Sequence, residues 1–320
     1  MQTWHRHTLR VLVTSAAYNY EWPQCYLYSH PAYLSSLSDY NAFSFLLFRA
    51  DVPDPVAVIN YNQEKDQNWC SFSKAPFGGI VLQADCSKAE LQFLINCVCE
   101  FISDRNGCGL TIKAPASCYG PNVHNILHEM YSNTGFCVVH THQNHYFFVN
   151  NSNFFDRIHR MEQRRLRKCR QAGFKTRLDL SIETDHAFNF IRRCYAEKGY
   201  TLSISLQELK NLRGNFPDKY LIFTVENGLH LAGLIVGVRV REDILYIFLS
   251  AFESEFRKFS PVVLLMEAVY EFCQTSHISL LDLGTSLDQH GQPKKSLMQF
   301  KERLGAVACD KVTYHKKLAL

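Results

Sequence analysis

The stretch that decides the reading is residues 243–284, DILYIFLSAFESEFRKFSPVVLLMEAVYEFCQTSHISLLDLG. Residues 243–251 are dominated by aliphatic and aromatic side chains, which predicts a buried strand. A basic turn follows, Arg257-Lys258-Phe259-Ser260-Pro261, and then an apolar run over residues 262–273 of helical length. Residues 280–284 read as a second strand. Ser260 has the chemistry of an N-cap, and Pro261 is preset for the first helical position. The predicted helix therefore begins at the mouth of a sheet with Arg257 and Lys258 beside it, where an α/β protein holds an anionic group. A polar loop then leads into a last predicted helix over residues 296–304.

Working outward, the second half reads as helices over residues 185–198 and 205–212 and strands over 220–225, 231–240 and 243–251. After the helix, strand and helix already named comes a final strand over residues 311–318. The first half has a similar element order. Strands are predicted over residues 43–48 and 56–61, parted by Pro53-Asp54-Pro55, and over residues 80–82 after Pro76-Phe77-Gly78-Gly79. Ser87 and Glu90 form a capping-box pattern for a helix over residues 89–103, which Asn106-Gly107 ends. A strand (109–113), a helix (121–131) and a strand (136–142) follow. Between the halves, Phe154, Phe155, Ile158, Met161, Leu166 and Cys169 share one helical arc, with Arg157, Arg160, Arg164 and Arg167 opposite and Gly173 as the stop. The repeated order predicts an α/β (α+β) protein of two duplicated domains, residues 1–150 and 151–320, each a mixed sheet flanked by helices.

The totals agree with a cored, two-domain chain of 320 residues, because hydrophobic residues reach 47% and charged ones only 20%. A net charge of +4, with histidine neutral, favours anionic partners without demanding nucleic acid. The 12 cysteines show no paired metal spacing, and several, such as Cys97, Cys137 and Cys273, sit in apolar runs, which fits reduced thiols better than a disulfide framework. The N-terminal apolar run is too short for a secretory signal, and no run has the roughly 18 apolar residues of a membrane span. The expectation is a cytoplasmic protein.

Lys301 leads the candidates for chemistry. It falls inside the apolar arc of Leu297, Met298, Phe300 and Leu304, so it must snorkel, pair (Asp282 is a candidate partner) or act. Arg165 lies among the apolar positions of the middle helix, where a structural tie to a carboxylate competes with ligand binding. Arg257, Lys258 and Ser260 are the candidate cofactor-binding set, although the turn lacks the glycines that let a phosphate approach the backbone. Tyr195, in Arg193-Cys-Tyr-Ala-Glu-Lys-Gly-Tyr200, is a candidate proton donor, with a half-buried aromatic as the commoner case. Glu253 is a further candidate base. His140, His142 and His145 invite a metal, and His140 and His142 share one strand face, but His145 lies off that register and no carboxylate or cysteine accompanies them, so no metal is expected. There is no P-loop, no G-x-G-x-x-G and no G-x-S-x-G.

Three motifs then carry a resemblance. Gln163-Arg-Arg-Leu-Arg-Lys-Cys-Arg-Gln-Ala-Gly173 resembles the "RR-x-x-RKA-x-x-G" helix of the Fem-like branch of the GNAT acyltransferases. Ser260-Pro-Val-Val-Leu-Leu265 resembles that family's "sP-x-x-LL" helix start. Leu281-Asp-Leu-Gly-Thr-Ser286 followed by Leu297-Met-Gln-Phe-Lys-Glu-Arg-Leu-Gly305 resembles its "DLG-x-S … L-x-x-FK-x-x-FGA" ending. The resemblance implies tandem GNAT-like domains with a substrate cleft between them. It also implies transfer of an acyl or aminoacyl group, from acyl-CoA such as acetyl-CoA or from aminoacyl-tRNA, to an amine. The acceptor would be an anionic small molecule or a cell-envelope precursor, with tRNA as a partner in the second case. The family's FK lysine falls on Lys301, implicated in stabilising the transition state. Arg165, Asp282 and Ser286 count as candidate substrate-binding residues. Two departures stand out: no long helical arm fits between residues 174 and 220, and the glycine-rich pyrophosphate loop is missing. The alternative is a non-catalytic binding protein that keeps the tandem fold.

Overall fold

The structure, a computed structural model, describes residues 2–15, 18, 22, 25–36, 42–71 and 73–318. The chain divides into two compact units, residues 1–142 with 310–320, and residues 143–309.

The first unit opens with a hairpin, Gln2–Arg6 (β1) and Leu9–Thr14 (β2), with Arg6 opposite Leu9. No strand is legible there, because the turn residue with positive φ is His7 (φ 53°) rather than the glycine or asparagine that marks such a turn. A short helix, Pro31–Ser35 (α1), precedes the strands Ala42–Arg49 (β3), Ala57–Gln63 (β4), Asn68–Cys70 (β5) and Val81–Leu82 (β6). The helix Lys88–Ser103 (α2), the strand Gly109–Lys113 (β7) and the helix Pro121–Asn133 (α3) follow, and then the long strand Cys137–Phe148 (β8). The sheet runs β1-β2-β3-β4-β5-β7, with β6 beside β4. Leu91, Leu94, Val98 and Phe101 of α2 are buried against Val11, Phe45, Ile59 and Trp69. The predicted capping box is formed, with Ser87 accepting from the Glu90 amide and Glu90 accepting from the Ser87 amide at 2.7 Å. Arg49 donates to the Glu90 carboxylate at 2.6 Å and, as the largest cause, holds that carboxyl down at about 2.

In the second unit the middle helix is two helices, Phe154–Arg157 (α4) and Arg160–Gln171 (α5). Ile158 and His159 between them are extended, and the His159 amide donates to the Arg303 carbonyl at 2.7 Å. Restarting the helix at His159 changes its buried stripe. Met161 is 46% exposed, whereas Glu162 is fully buried between Ile158 and Leu166. Then come Phe174–Leu178 (β9), Thr184–Ala196 (α6), Leu206–Asn215 (α7), Tyr220–Asn227 (β10), His230–Arg241 (β11) and Ile244–Phe252 (β12). Pro261–Thr275 (α8), Leu280–Thr285 (β13), Lys295–Arg303 (α9) and Val307–Lys317 (β14) complete the chain. The sheet order is β8-β13-β12-β11-β10-β9, in which the β12–β13 pair is parallel and the others antiparallel. Val263, Leu265, Val269 and Cys273 of α8 are buried with Leu166 and Cys169 of α5 and with Ile235, Leu245 and Leu281 of the sheet. The sequence places the last strand with the second half. Instead, Thr313 to Lys317 pair antiparallel with Lys113 to Gly109 of β7, in the first unit. Strand order along a sheet is a long-range pairing choice, and local propensity carries no trace of it.

Candidate functional site

The parallel pairing of β12 with β13 stops early. Ile244, Leu245 and Tyr246 pair with Leu280, Leu281 and Asp282, after which the strands part. From Ile247 onward, β12 keeps only β11 as a strand partner among the described residues. The cause is local. Gly284 takes a left-handed φ of 71°, and a Cβ there would lie 3.3 Å from Cε2 of Tyr246. The buried Asp282 carboxylate accepts from the Gly284 amide and from Asn144 Nδ2, each at 2.7 Å. Lys301, 6% exposed, donates from Nζ to the carbonyl oxygens of Gly284 (2.7 Å) and Thr285 (2.9 Å). The turned peptide is thus clamped at its N–H by a carboxylate and at its carbonyls by an ammonium. Charge-assisted bonds of this kind are the strong ones.

Other motif residues tie α5 and α4 to α9 and its end. Glu162, fully buried, accepts from Arg165 Nη1 and from Arg303 Nε, both at 2.9 Å. Arg165 is therefore tied to a carboxylate of its own helix. Gly305 takes φ 85°, and a Cβ there would meet the Arg157 carbonyl oxygen at 2.7 Å. The spacing Ile158, Glu162, Leu166 was the signal for Glu162, since it places the acid on the inward face.

On one side of the opening stand three tyrosines. Tyr246 is half-buried, and desolvation of its hydroxyl, with Asp282 nearby, pushes its phenol up. Tyr195 lies 6.1 Å ring to ring from Tyr200, and burial pushes its phenol up against a hydrogen bond with the Ser250 backbone. Lys294 bonds to the Tyr200 hydroxyl. Lys198 lies over the Phe252 ring at 3.8 Å and donates to the Phe252 carbonyl at 3.4 Å. Its ammonium is pushed down, chiefly by desolvation and also by Lys294. Neither lysine has a carboxylate partner within ion-pair distance among the described residues. Tyr200 and Lys294 are 94 positions apart in sequence, and nothing local marks them as neighbours.

Several buried polar atoms here lack hydrogen-bond partners among the described residues: Ser286 Oγ, Asn144 Oδ1 and both ring nitrogens of His145. His145 is fully buried, 3.9 Å from Glu302, and its imidazole is pushed down by burial first and by the Lys301 charge second. His140 and His142, by contrast, stack on each other at 5.6 Å on the surface.

The turn before α8 departs from expectation. Ser260 is left-handed (φ 55°) and makes no side-chain cap, because an N-cap hydroxyl reaches the helix amides only from an extended backbone. Its Oγ donates instead to the Arg257 carbonyl at 3.5 Å. The amides of Phe256, Arg257, Phe259 and Ser260 all donate to carbonyls within the turn, and the Arg257 and Lys258 side chains point to solvent. Glu253 is bonded to Arg193, and its second oxygen lies 3.3 Å from His230 Nε2. His230, Glu253 and Glu255 bring their ligand atoms within 4.8 Å of one another. His230 and Glu253 line an open groove of about 760 Å³ with His186 and Phe190.

Comparison with known proteins places this geometry. Residues 156–295 match the model of the acetyltransferase (GNAT) domain. No curated protein matches the sequence. Among solved structures, FemX superposes with a TM-score of 0.70 at 11% identity, covering 92% of this chain and 94% of that one. L-PGS from Bacillus licheniformis gives 0.56 at 12% identity, covering 84% and 83%. A tandem GNAT protein from the clavulanic acid biosynthesis pathway gives 0.54 at 9%, covering 87% and 83%. At such identities the likeness is one of fold. The chain therefore has the fold of FemX and of the tandem GNAT proteins, and its residues 156–295 match the acetyltransferase (GNAT) domain.

Proposed function

We propose that the protein is an N-acyltransferase that moves an acyl or aminoacyl group onto the amine of an anionic small molecule or cell-envelope precursor. The observation that carries this reading is the parting of β12 and β13 after Tyr246 and Asp282, which leaves backbone groups of β12 without a strand partner beside a cluster of phenols and lysines. An acyl donor laid along that edge takes the hydrogen bonds that β13 gives up.

A neutral amine nitrogen attacks the acyl carbon, the new C–N bond forms, and the thioester or ester bond breaks. Positioning and stabilisation of the developing oxyanion supply most of the rate, which preformed N–H donors of the β12 edge near Ala251 can provide. The amine nitrogen gives up its proton to solvent through a water chain, while Tyr195, whose phenol burial pushes up, gives a proton to the leaving thiolate or alkoxide and is reprotonated from solvent. Lys198, Lys294 and the Tyr200 hydroxyl receive the anionic group of a substrate. Lys301 and Asp282 act at one remove, by holding Gly284.

The turn before α8 bears on the donor. The amides of Phe256, Arg257, Phe259, Ser260 and Val263 are consumed internally, which counts against a diphosphate cradled there as coenzyme A would require. Incubation with acetyl-CoA, longer acyl-CoAs and charged tRNA, each with a panel of amine acceptors and mass-spectrometric detection of the amide, tests the reading. Amide formed with one donor class identifies that class. No amide with any donor, together with tight binding of an acceptor, turns the reading to a binding protein.

A further inference from the structure

The solvent face of α5 is a surface the acyl-transfer site does not use. Arg160, Arg164, Arg167 and Lys168 are all exposed, and at about 100° per residue they share one arc opposite the buried Glu162, Leu166 and Cys169. The inward-leaning cations of the same helix are neutralised, Arg165 by Glu162 and Arg170 by Glu267. The outward four have no ion-pair partner among the described residues. Lys168 extends the face, because its Nζ donates to the Lys258 carbonyl at 3.1 Å and so fixes the helix against the turn that carries the exposed Arg257 and Lys258. These six cations exceed the +4 of the whole chain.

Apolar groups are set among the charges. Met161 is 46% exposed at the edge of the arc. Arg167 lies 4.8 Å over the Phe155 ring, and Lys168 and Lys258 flank the Phe259 ring at 5.3 and 5.0 Å. Phe155 and Phe259 are both partly exposed. A cluster of cations on an amphipathic helix, with aromatic and thioether groups between them, suits the boundary between lipid head groups and acyl chains. A nucleic-acid backbone would use the cations and leave Met161 and the rings without a role. Among the described residues no helix is long and apolar enough to cross a membrane, so contact through this face would be peripheral.

We propose that this face, Arg160, Arg164, Arg167 and Lys168 with Arg257 and Lys258, docks the protein on an anionic lipid surface. Co-sedimentation of the full chain with phosphatidylcholine vesicles, with and without about one third phosphatidylglycerol, at about 0.1 M salt tests it. The expected result is partition onto the anionic vesicles at least tenfold above the neutral ones, weakening as salt rises. R160E/R164E/R167E lowers that partition more than tenfold. R6E/R192E/K317E, which changes the net charge equally at exposed positions elsewhere, lowers it less than threefold. Met161→Ser lowers it further without changing its salt dependence. Equal loss in the two triple variants reduces the effect to net charge and overturns the proposal. So does a wild-type protein that ignores anionic vesicles, or one that binds an RNA duplex through the three arginines while leaving vesicles in solution. Thermal unfolding of each variant checks that the fold is intact.

Discussion

Lys301 places its ammonium 2.7 Å from the carbonyl oxygen of Gly284, while the Gly284 amide lies 2.7 Å from the Asp282 carboxylate. One peptide turn is thus held by a buried cation and a buried anion. That turn is where β13 leaves β12, so the pair shapes the opening without standing in it.

Removing the cation leaves the buried Gly284 carbonyl and the half-buried Thr285 carbonyl without their charged donor. Lys301→Met is expected to cost about 2–4 kcal/mol, the scale for breaking a buried charged network. Urea unfolding reads it, and a change under about 0.5 kcal/mol would show the clamp to be idle. Lys301→Arg, which restores the charge but not the single ammonium, recovers only part of the loss.

Gly284→Ala sets a Cβ against the Tyr246 ring at a left-handed φ. A loss of about 1–2 kcal/mol follows from the backbone conformation alone. Acyl transfer should fall by more than stability predicts, because the strands would part differently. Assay at a temperature well below each variant's Tm separates the two effects.

Glu162 is a buried carboxylate shared by Arg165 and Arg303. Glu162→Gln keeps the shape and removes the charge, which strands two guanidinium groups. Stability should drop by about 3 kcal/mol. A double-mutant cycle with Arg303→Met then returns a coupling energy above about 1 kcal/mol.

His145 gives a pH dependence with a definite sign. Burial, and secondarily Lys301, keep its folded-state pKa below the ordinary value of 6.5. The unfolded chain then binds the proton more readily, so stability is fully present above about pH 6.5 and falls as pH drops toward the folded pKa. Denaturant midpoints between about pH 7.5 and 5 should fall more steeply for the wild type than for His145→Gln. Parallel curves would remove His145 as the source.

Lys198→Gln with Lys294→Gln tests the anion reading. For an anionic acceptor, KM is expected to rise about tenfold or more with kcat little changed, and the salt dependence of kcat/KM to weaken. An unchanged KM would place the anion elsewhere.

Much of the fold was legible. Ser87 and Glu90 marked the start of α2 through a contact three residues long, and the apolar periods marked α8, α9 and the central strands. The hairpin at His7 and the break at His159 were not, because each depends on a backbone conformation its residue does not advertise. Ser260 misled for the same reason: it is a capping residue placed in a conformation that cannot cap. Lys301 was legible as a lysine on an apolar arc, and Glu162 could have been found by the same count.

What the sequence alone determined is the central elements and the inward faces of helices such as α2 and α8, since both follow from residue periods and local capping. The tertiary structure decided which distant groups meet: Lys301 with Gly284, Glu162 with Arg303, Tyr200 with Lys294, and the last strand with β7. Those meetings rest on hydrogen bonds and ion pairs between residues far apart in the chain, and such bonds leave no period in the sequence to read.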